Sequence, residues 1–243
     1  MKIVAGVILG VVVAAVIGVV LVLSYLGLMP GISTLLGSDR PRDLGVTYAA
    51  ADYNSARAKT GTVISDLPPG GAPKDSLKWS GSKAVGARFT NEEMTALMNN
   101  RPWKYYPLSE CQFKVGEDGM IAEFSGRLLT DRLAGYAGAM GASGGAMRTL
   151  TEILKAAPAN PTVYLKGAVV VTNNRITTVD IRDFQIGRLS LPQQQIQDNL
   201  KNLASLAEMQ FDAIPGFSVR SFTLTPGGVK FDGTFPAQLQ REK

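Results

Sequence analysis

The chain has 243 residues, a formal net charge of +5 and 45% hydrophobic residues, with no histidine and a single cysteine. Without histidine there is no Ser-His-Asp or Cys-His catalytic set, no histidine-ligated zinc or haem, and no ordinary base with a pKa near neutrality. One cysteine allows neither an internal disulfide nor a thiolate metal cluster. The small basic excess comes without basic clusters interleaved with aromatics, which argues against nucleic acid as a partner. Carboxylate or serine-lysine catalysis stays formally open, but the acidic residues form no recognisable constellation. The chain therefore reads as a non-enzyme with no cofactor and no metal.

Ile3 to Leu28 is a run of 26 residues without a charge. As a helix it would be about 39 Å long at 1.5 Å per residue, more than a hydrocarbon core of ~30 Å requires. A cleaved signal has an apolar region of about 7–15 residues followed by a small-x-small site. The stretch Ser24 to Pro30 offers no such site, and Cys111 lies too far downstream to carry a lipid, so an uncleaved anchor is expected. Lys2 and the terminal amine flank the short side, while Asp39 and Arg40 on the other side are distant and balanced. The positive-inside rule then places the N-terminus in the cytoplasm and the rest outside, as a single-pass protein of the cell membrane. Gly6, Gly10, Ala14 and Gly18 are spaced four apart and share a helix face that suits close packing, hence a homodimer through the anchor. Such residues are also common in any membrane helix, so that face has a plain alternative.

After the anchor (1–30), residues 31–77 read as a connector with one helix, Leu44 to Lys59, stopped by Gly61, and a loop at Leu67 to Pro73. Residues 78–243 read as the extracytoplasmic domain. Thr90 and Glu93 form a capping box, and the helix they open puts Met94, Leu97 and Met98 on one face. Cys111 to Val115 and Met120 to Leu128 read as a hairpin around Glu117-Asp118-Gly119, with Phe113 and Phe124 on the sheet and Cys111 as a small buried hydrophobe. Gly135 to Gly145 lacks the Lys-Ser or Lys-Thr of a phosphate loop and reads as a pliable connection into an apolar helix with Met147, Leu150, Ile153 and Leu154.

Farther on, strands Val163 to Val171 and Ile176 to Leu189 flank the turn Asn173-Asn174. Ser190 and Pro192 open a helix with Ile196, Leu200 and Leu203 on one face. Strands carrying Phe222 and Phe231 close the chain. Apolar residues change phase between Ile181 and Phe184 and again between Val219 and Phe222, which means either a β-bulge or burial on both faces. The order helix, strand, turn, strand occurs twice, as if one unit were used two times.

With the anchor, three stretches carry a family likeness: Phe89 to Asn99 (FTNEEMTALMN), Tyr164 to Gly167 (YLKG) and Ile186 to Pro192 (IGRLSLP). They resemble the YpmS-like membrane-anchored proteins of bacteria, over roughly Lys78 to the C-terminus. The resemblance implies the wider tubular lipid-binding (TULIP-like) architecture and supplies no catalytic residue. The expected fold class is α+β, a single N-terminal transmembrane helix followed by a curved antiparallel sheet wrapping apolar helices, with two helix–hairpin units as one reading. A plain α+β core with helices on one face of a flat sheet fits the pattern equally well. The candidate lipid contacts are Met94, Leu97, Met98, Phe113, Phe124, Ile196, Leu200, Leu203, Phe222 and Phe231, each of which also reads as ordinary core. The expected function is binding of membrane lipid or another apolar ligand in envelope maintenance or lipid handling. The alternative is a non-catalytic module that assembles with envelope partners through its anchor and soluble domain.

Overall fold

A computed structural model describes residues 39–140 and 160–243 of the chain. Sequence punctuation places the helices. Helix α1 runs Ala50–Thr60 and stops at Gly61, whose φ of 64° is the left-handed cap conformation. Residues 44–49, expected to be helical, are irregular instead. Gly45 sits at φ 71°, and the Leu44 and Val46 N–H groups both donate to the Gln112 side chain, at 2.7 and 3.4 Å. Helix α2, Asn91–Asn99, opens on the capping box: Thr90 Oγ1 accepts from the Glu93 N–H and the Glu93 carboxylate accepts from the Thr90 N–H. Helix α3 spans Leu133–Met140, where a pliable connection was expected. Its Ala137 is buried and its Tyr136 ring lies 5.9 Å from that of Trp103. Helix α4 spans Gln193–Ala213.

The strands outnumber what periodicity revealed. β1 (Val63–Asp66), β2 (Leu77–Ser80) and β11 (Gln238–Arg241) form a three-stranded sheet in which β11 lies between the other two, parallel to β1 and antiparallel to β2. The eight-stranded sheet has the order β3 (Lys83–Thr90), β10 (Gly228–Phe235), β9 (Ser218–Thr225), β6 (Thr162–Thr172), β5 (Ala122–Leu128), β4 (Leu108–Val115). β7 (Arg175–Ile186) runs along β6, and the two-residue β8 (Leu189–Ser190) returns along the end of β7. The sheet thus has two arms that leave different parts of β6: β5–β4 from its first half, β9–β10–β3 from its last two residues. Their far ends meet where the Gly227 N–H donates to the Gly116 carbonyl at 3.3 Å.

Both phase changes are bulges. Lys166 faces Asp183 while Gly167 faces Ile181, which leaves Arg182 as the extra residue. Asp232 faces Ser221 while Gly233 faces Val219, which leaves Arg220 extra. Each bulge is matched by a glycine because the backbones close in: a Cβ on Gly167 would collide with the Asp180 carbonyl, and one on Gly233 with that of Ser218.

The expected α+β class with a curved sheet wrapped around apolar helices is overturned. Among the described residues the fold is mostly sheet, 43% strand against 26% helix. Its main core cluster is Ala56, Val85, Phe89, Phe113, Val115, Val171, Val219, Val229 and Phe231, so every member but Ala56 comes from a strand. Strand side chains fill the interior that helices were expected to occupy. β1, β2 and β11 escaped notice because each has only four residues, and β3, eight residues long, because it is rich in polar and small residues. The helix–hairpin order does recur, with α2 before β4–β5 and α4 before β9–β10, but the two helices dock differently. α2 seals the outer edge of β4, whereas Ile176 N–H of β7 donates to Glu208 of α4 at 2.8 Å. The stretch expected to be an anchor lies outside the described residues; among those described, no helix is long and apolar enough to cross a membrane.

The seal on β4 is made by side chains four apart. The Asn91 amide donates to the Val115 carbonyl (3.1 Å) and accepts from its N–H (2.8 Å). Thr95 Oγ1 accepts from the Phe113 N–H (3.0 Å) and points its hydroxyl at the Phe113 carbonyl (3.4 Å). Asn99 repeats the amide exchange with Cys111, at 2.7 and 2.9 Å. Asn91 and Thr95 are 9% and 0% exposed, so this polar stripe, not Met94, Leu97 and Met98, is the more deeply buried face. Replacing Thr95 by Val keeps the shape and leaves the Phe113 N–H unpaired, so a loss of about 1–3 kcal/mol is expected in urea unfolding of the detergent-solubilised chain. A loss below about 0.5 kcal/mol would show that the edge does not depend on this rung.

α1 is fastened to α2 through Glu93, which is 4% exposed and accepts from Lys59 Nζ at 2.5 Å and Ser55 Oγ at 2.5 Å. Burial pushes the Glu93 pKa up, but the bonds from Lys59, Ser55 and Thr90 outweigh it and hold the carboxyl below its usual range. A depressed carboxylate stabilises the fold above its unfolded pKa of about 4.3, and that stability is lost as pH falls through the folded value. Glu93→Gln should therefore cost about 2 kcal/mol at pH 7, with the gap to wild type closing below about pH 4 in pH-dependent unfolding.

Candidate functional site

The sheet has two faces over β4–β7. Phe113, Phe124, Leu165 and Phe184 are paired in register on one. The other carries Gln112, Lys114, Glu123, Tyr164, Lys166 and Gln185, and residues 39–46 cross it as a strap. The Arg42 guanidinium stacks 3.8 Å from the Tyr164 ring centre and donates to Gln185 at 3.1 Å. Gln112 receives the Leu44 and Val46 N–H groups, and Lys114 donates to the Leu44 carbonyl at 3.0 Å. Leu44, Val46 and Tyr164 bury one another in a small separate apolar cluster. Beneath them Tyr164 donates to Glu123 at 2.5 Å. Burial first, and then that bond, push the Tyr164 phenol up to about 12. Burial also pulls Glu123 upward, but Tyr164 and Lys166 outweigh it and hold the carboxyl low.

Where the strap leaves the sheet it borders a recess of about 380 Å³ whose walls include Val46, Tyr48, Thr95, Asn99, Glu110 and Gln112. A bulge in β4 between Ser109 and Gln112 shapes it. Glu110 is held there at φ 51°, a conformation that costs a non-glycine residue about 1–2 kcal/mol. Its carboxylate reaches Arg127 Nε at 2.6 Å, and Tyr48 stands 42% exposed on the strap side. Thr95, Asn99 and Gln112 are already engaged with β4 and the strap, so the exposed Tyr48 and Glu110 are the groups the recess offers to a polar or peptide-like segment. A second shallow recess, of about 320 Å³, lies at Asn173, Asn174, Ser218, Arg220 and Thr234. Both asparagines have positive φ, as a tight β6–β7 turn requires.

The expected lipid contacts come together only in part, and as packing. Phe113 and Phe231 are 8% and 5% exposed within the core cluster, with Met94, Leu97, Met98 and Phe222 half-buried against it. Phe222 and Phe231 face each other across β9–β10, and Phe124 pairs with Phe113 while staying half-buried. Ile196 is 3% exposed and lies outside that cluster. The Leu200 and Leu203 side chains, and Gly6, Gly10, Ala14 and Gly18, lie outside the described residues. Cys111 is 2% exposed and lines the recess, its backbone carbonyl accepting from Asn99 of α2 and its thiol donating to the Ser109 carbonyl. Sequence reading missed Gln112, Glu110 and the strap. The available signal was a glutamine inside an otherwise alternating strand and Gly45 inside a supposed helix. Comparison with protein families, curated proteins and solved structures finds no match.

Burial pushes the Cys111 thiol up to about 12, so at pH 8 little thiolate forms. The folded chain should therefore resist a thiol reagent that modifies the unfolded chain fully. Fast modification without denaturant would show that β4 opens at this rung.

Proposed function

We propose that the chain is a single-pass membrane protein whose domain, outside the cytoplasm, is a non-catalytic interaction module that binds an envelope protein at the recess beside the β4 bulge. The observation that carries this reading is Glu110, kept in an unfavourable backbone conformation on the wall of an open recess beside exposed Tyr48. Strain retained at an exposed recess points to use of that recess. Lipid binding is the weaker reading, because Phe113 and Phe231 are packed among strand residues within the core. The anchor rests on the uncharged run Ile3 to Leu28, and its orientation on Lys2 and the terminal amine against the distant, balanced Asp39 and Arg40.

A photo-crosslinking residue at Tyr48 should give a discrete adduct in native membranes, and one at Val63, also exposed but on β1, should not. Glu110→Gly relieves the backbone and removes an exposed ion pair, so stability should change by less than about 1 kcal/mol while the Tyr48 adduct is lost. Equal adducts from both positions, or none, would overturn the reading.

A further inference from the structure

Arg127 gathers three parts of the chain at one end of the eight-stranded sheet. Its guanidinium donates to the Asp39 carbonyl (2.9 Å), to the Asn160 carbonyl (3.3 Å) and to Glu110. Asp39, eleven residues after Leu28, opens the strap and is held at this end by Arg127. Arg127 lies opposite Thr162, and the Thr162 carbonyl accepts from the Gly187 N–H at 2.7 Å. The β7–β8 turn therefore lies at the same end, with Ile186 opposite Leu189 and Gly187 at φ 64°. At the tip stand Arg188 and Leu189, a large apolar side chain left 46% exposed, and Arg40 is exposed on the strap nearby.

Between Leu28, the last residue of the apolar run, and Asp39 lie ten residues, 29–38. Fully extended they reach about 34 Å. β7 carries the sheet roughly 36 Å from the Arg188 turn to the Asn173-Asn174 turn, at about 3.3 Å per residue. The reach is comparable with the strand, so attachment here lets the Arg188–Leu189 end approach the bilayer most closely, and the side chains at the tip must set the orientation. The chemistry there fits a headgroup layer, with arginine for phosphate and an exposed leucine for the acyl boundary.

We infer that the β7–β8 turn is a membrane-contacting tip, with Leu189 entering the headgroup region and Arg188 and Arg40 meeting anionic phospholipid, so that the domain stands end-on. This rests on the anchor reading, and the test separates the two. The full chain is reconstituted into vesicles containing a third phosphatidylglycerol, and a fluorophore is attached to Leu189→Cys or to Met120→Cys. Met120 is 65% exposed at the opposite end of the β4–β5 hairpin, and native Cys111 is buried from the reagent. Headgroup-attached nitroxide should quench the Leu189 probe several-fold more than the Met120 probe. Adding Arg40→Gln and Arg188→Gln, or using neutral vesicles, should reduce that difference at least twofold. Equal quenching in a chain that resists carbonate extraction overturns the tip and leaves the anchor standing. Extraction by carbonate overturns the anchor reading and the tip with it.

Discussion

The outer edge of β4 is the constraint on which the rest of the molecule depends. A strand edge presents unpaired N–H and C=O groups that must be paired, covered or left as a template for aggregation. Here a helix supplies the missing ladder with side chains rather than backbone. The match is geometric. Four residues of helix rise about 6.0 Å, and two residues of strand about 6.8 Å. Asn91, Thr95 and Asn99 therefore stay in step with Val115, Phe113 and Cys111 over three rungs. The mismatch grows by somewhat under 1 Å per rung, which is why such a seal suits a nine-residue helix and not a long one. Asparagine fits the outer rungs because its amide both donates and accepts, as a peptide does.

That seal organises what surrounds it. Because α2 must lie along β4, its N-terminus is fixed beside β10, where the Asn91 N–H donates to the Gly227 carbonyl at 3.2 Å. Glu93 then faces α1 and takes Lys59 and Ser55. The C-terminal end of the chain is fastened separately: Glu242, 3% exposed, accepts from Gly70 N–H and Lys104 Nζ, and its own N–H donates to Ser76. Residues 39–77 are thereby woven into the domain at α1, at β1 and at the 70–76 loop.

Much of the fold was legible because some signals are local. The capping box at Thr90, the stop at Gly61, the Asn173-Asn174 turn and the phase changes at both bulges depend on neighbouring residues, and all appear where the sequence puts them. The architecture was not legible, because which face of α2 is buried depends on a partner strand 12 to 24 residues away. Asn91, Thr95 and Asn99 look like the wet face of an amphipathic helix unless an unpaired β4 edge is known to lie against them. The same holds for Gln112: a polar residue in a strand reads as solvent-facing, yet it replaces the backbone partner of an extended strap. Periodicity measures hydrophobicity alone, so it misses burial that is driven by unsatisfied peptide groups.

Three consecutive residues of β4 tie these parts together. Gln112 holds the strap, Cys111 takes the last rung of α2, and Glu110 grips Arg127, which holds the Asp39 carbonyl. In a regular strand the side chains of 110 and 112 would point to the same face. The bulge at 109–112 instead turns Glu110 into the left-handed region, so its carboxylate reaches the end of β5 while Gln112 keeps its place under the strap. A displacement of residues 39–46 therefore acts on Gln112 and Glu110 together, and through Cys111 between them on the hydrogen bonds that seal the sheet. The recess lies at that junction, so an occupant touching Tyr48, Glu110 and Asn99 would bear on the strap, the clamp on the tether and the helix at once. Contiguous hydrogen-bonded groups connect such a site through Glu110 and Arg127 to Asp39 at the start of the strap.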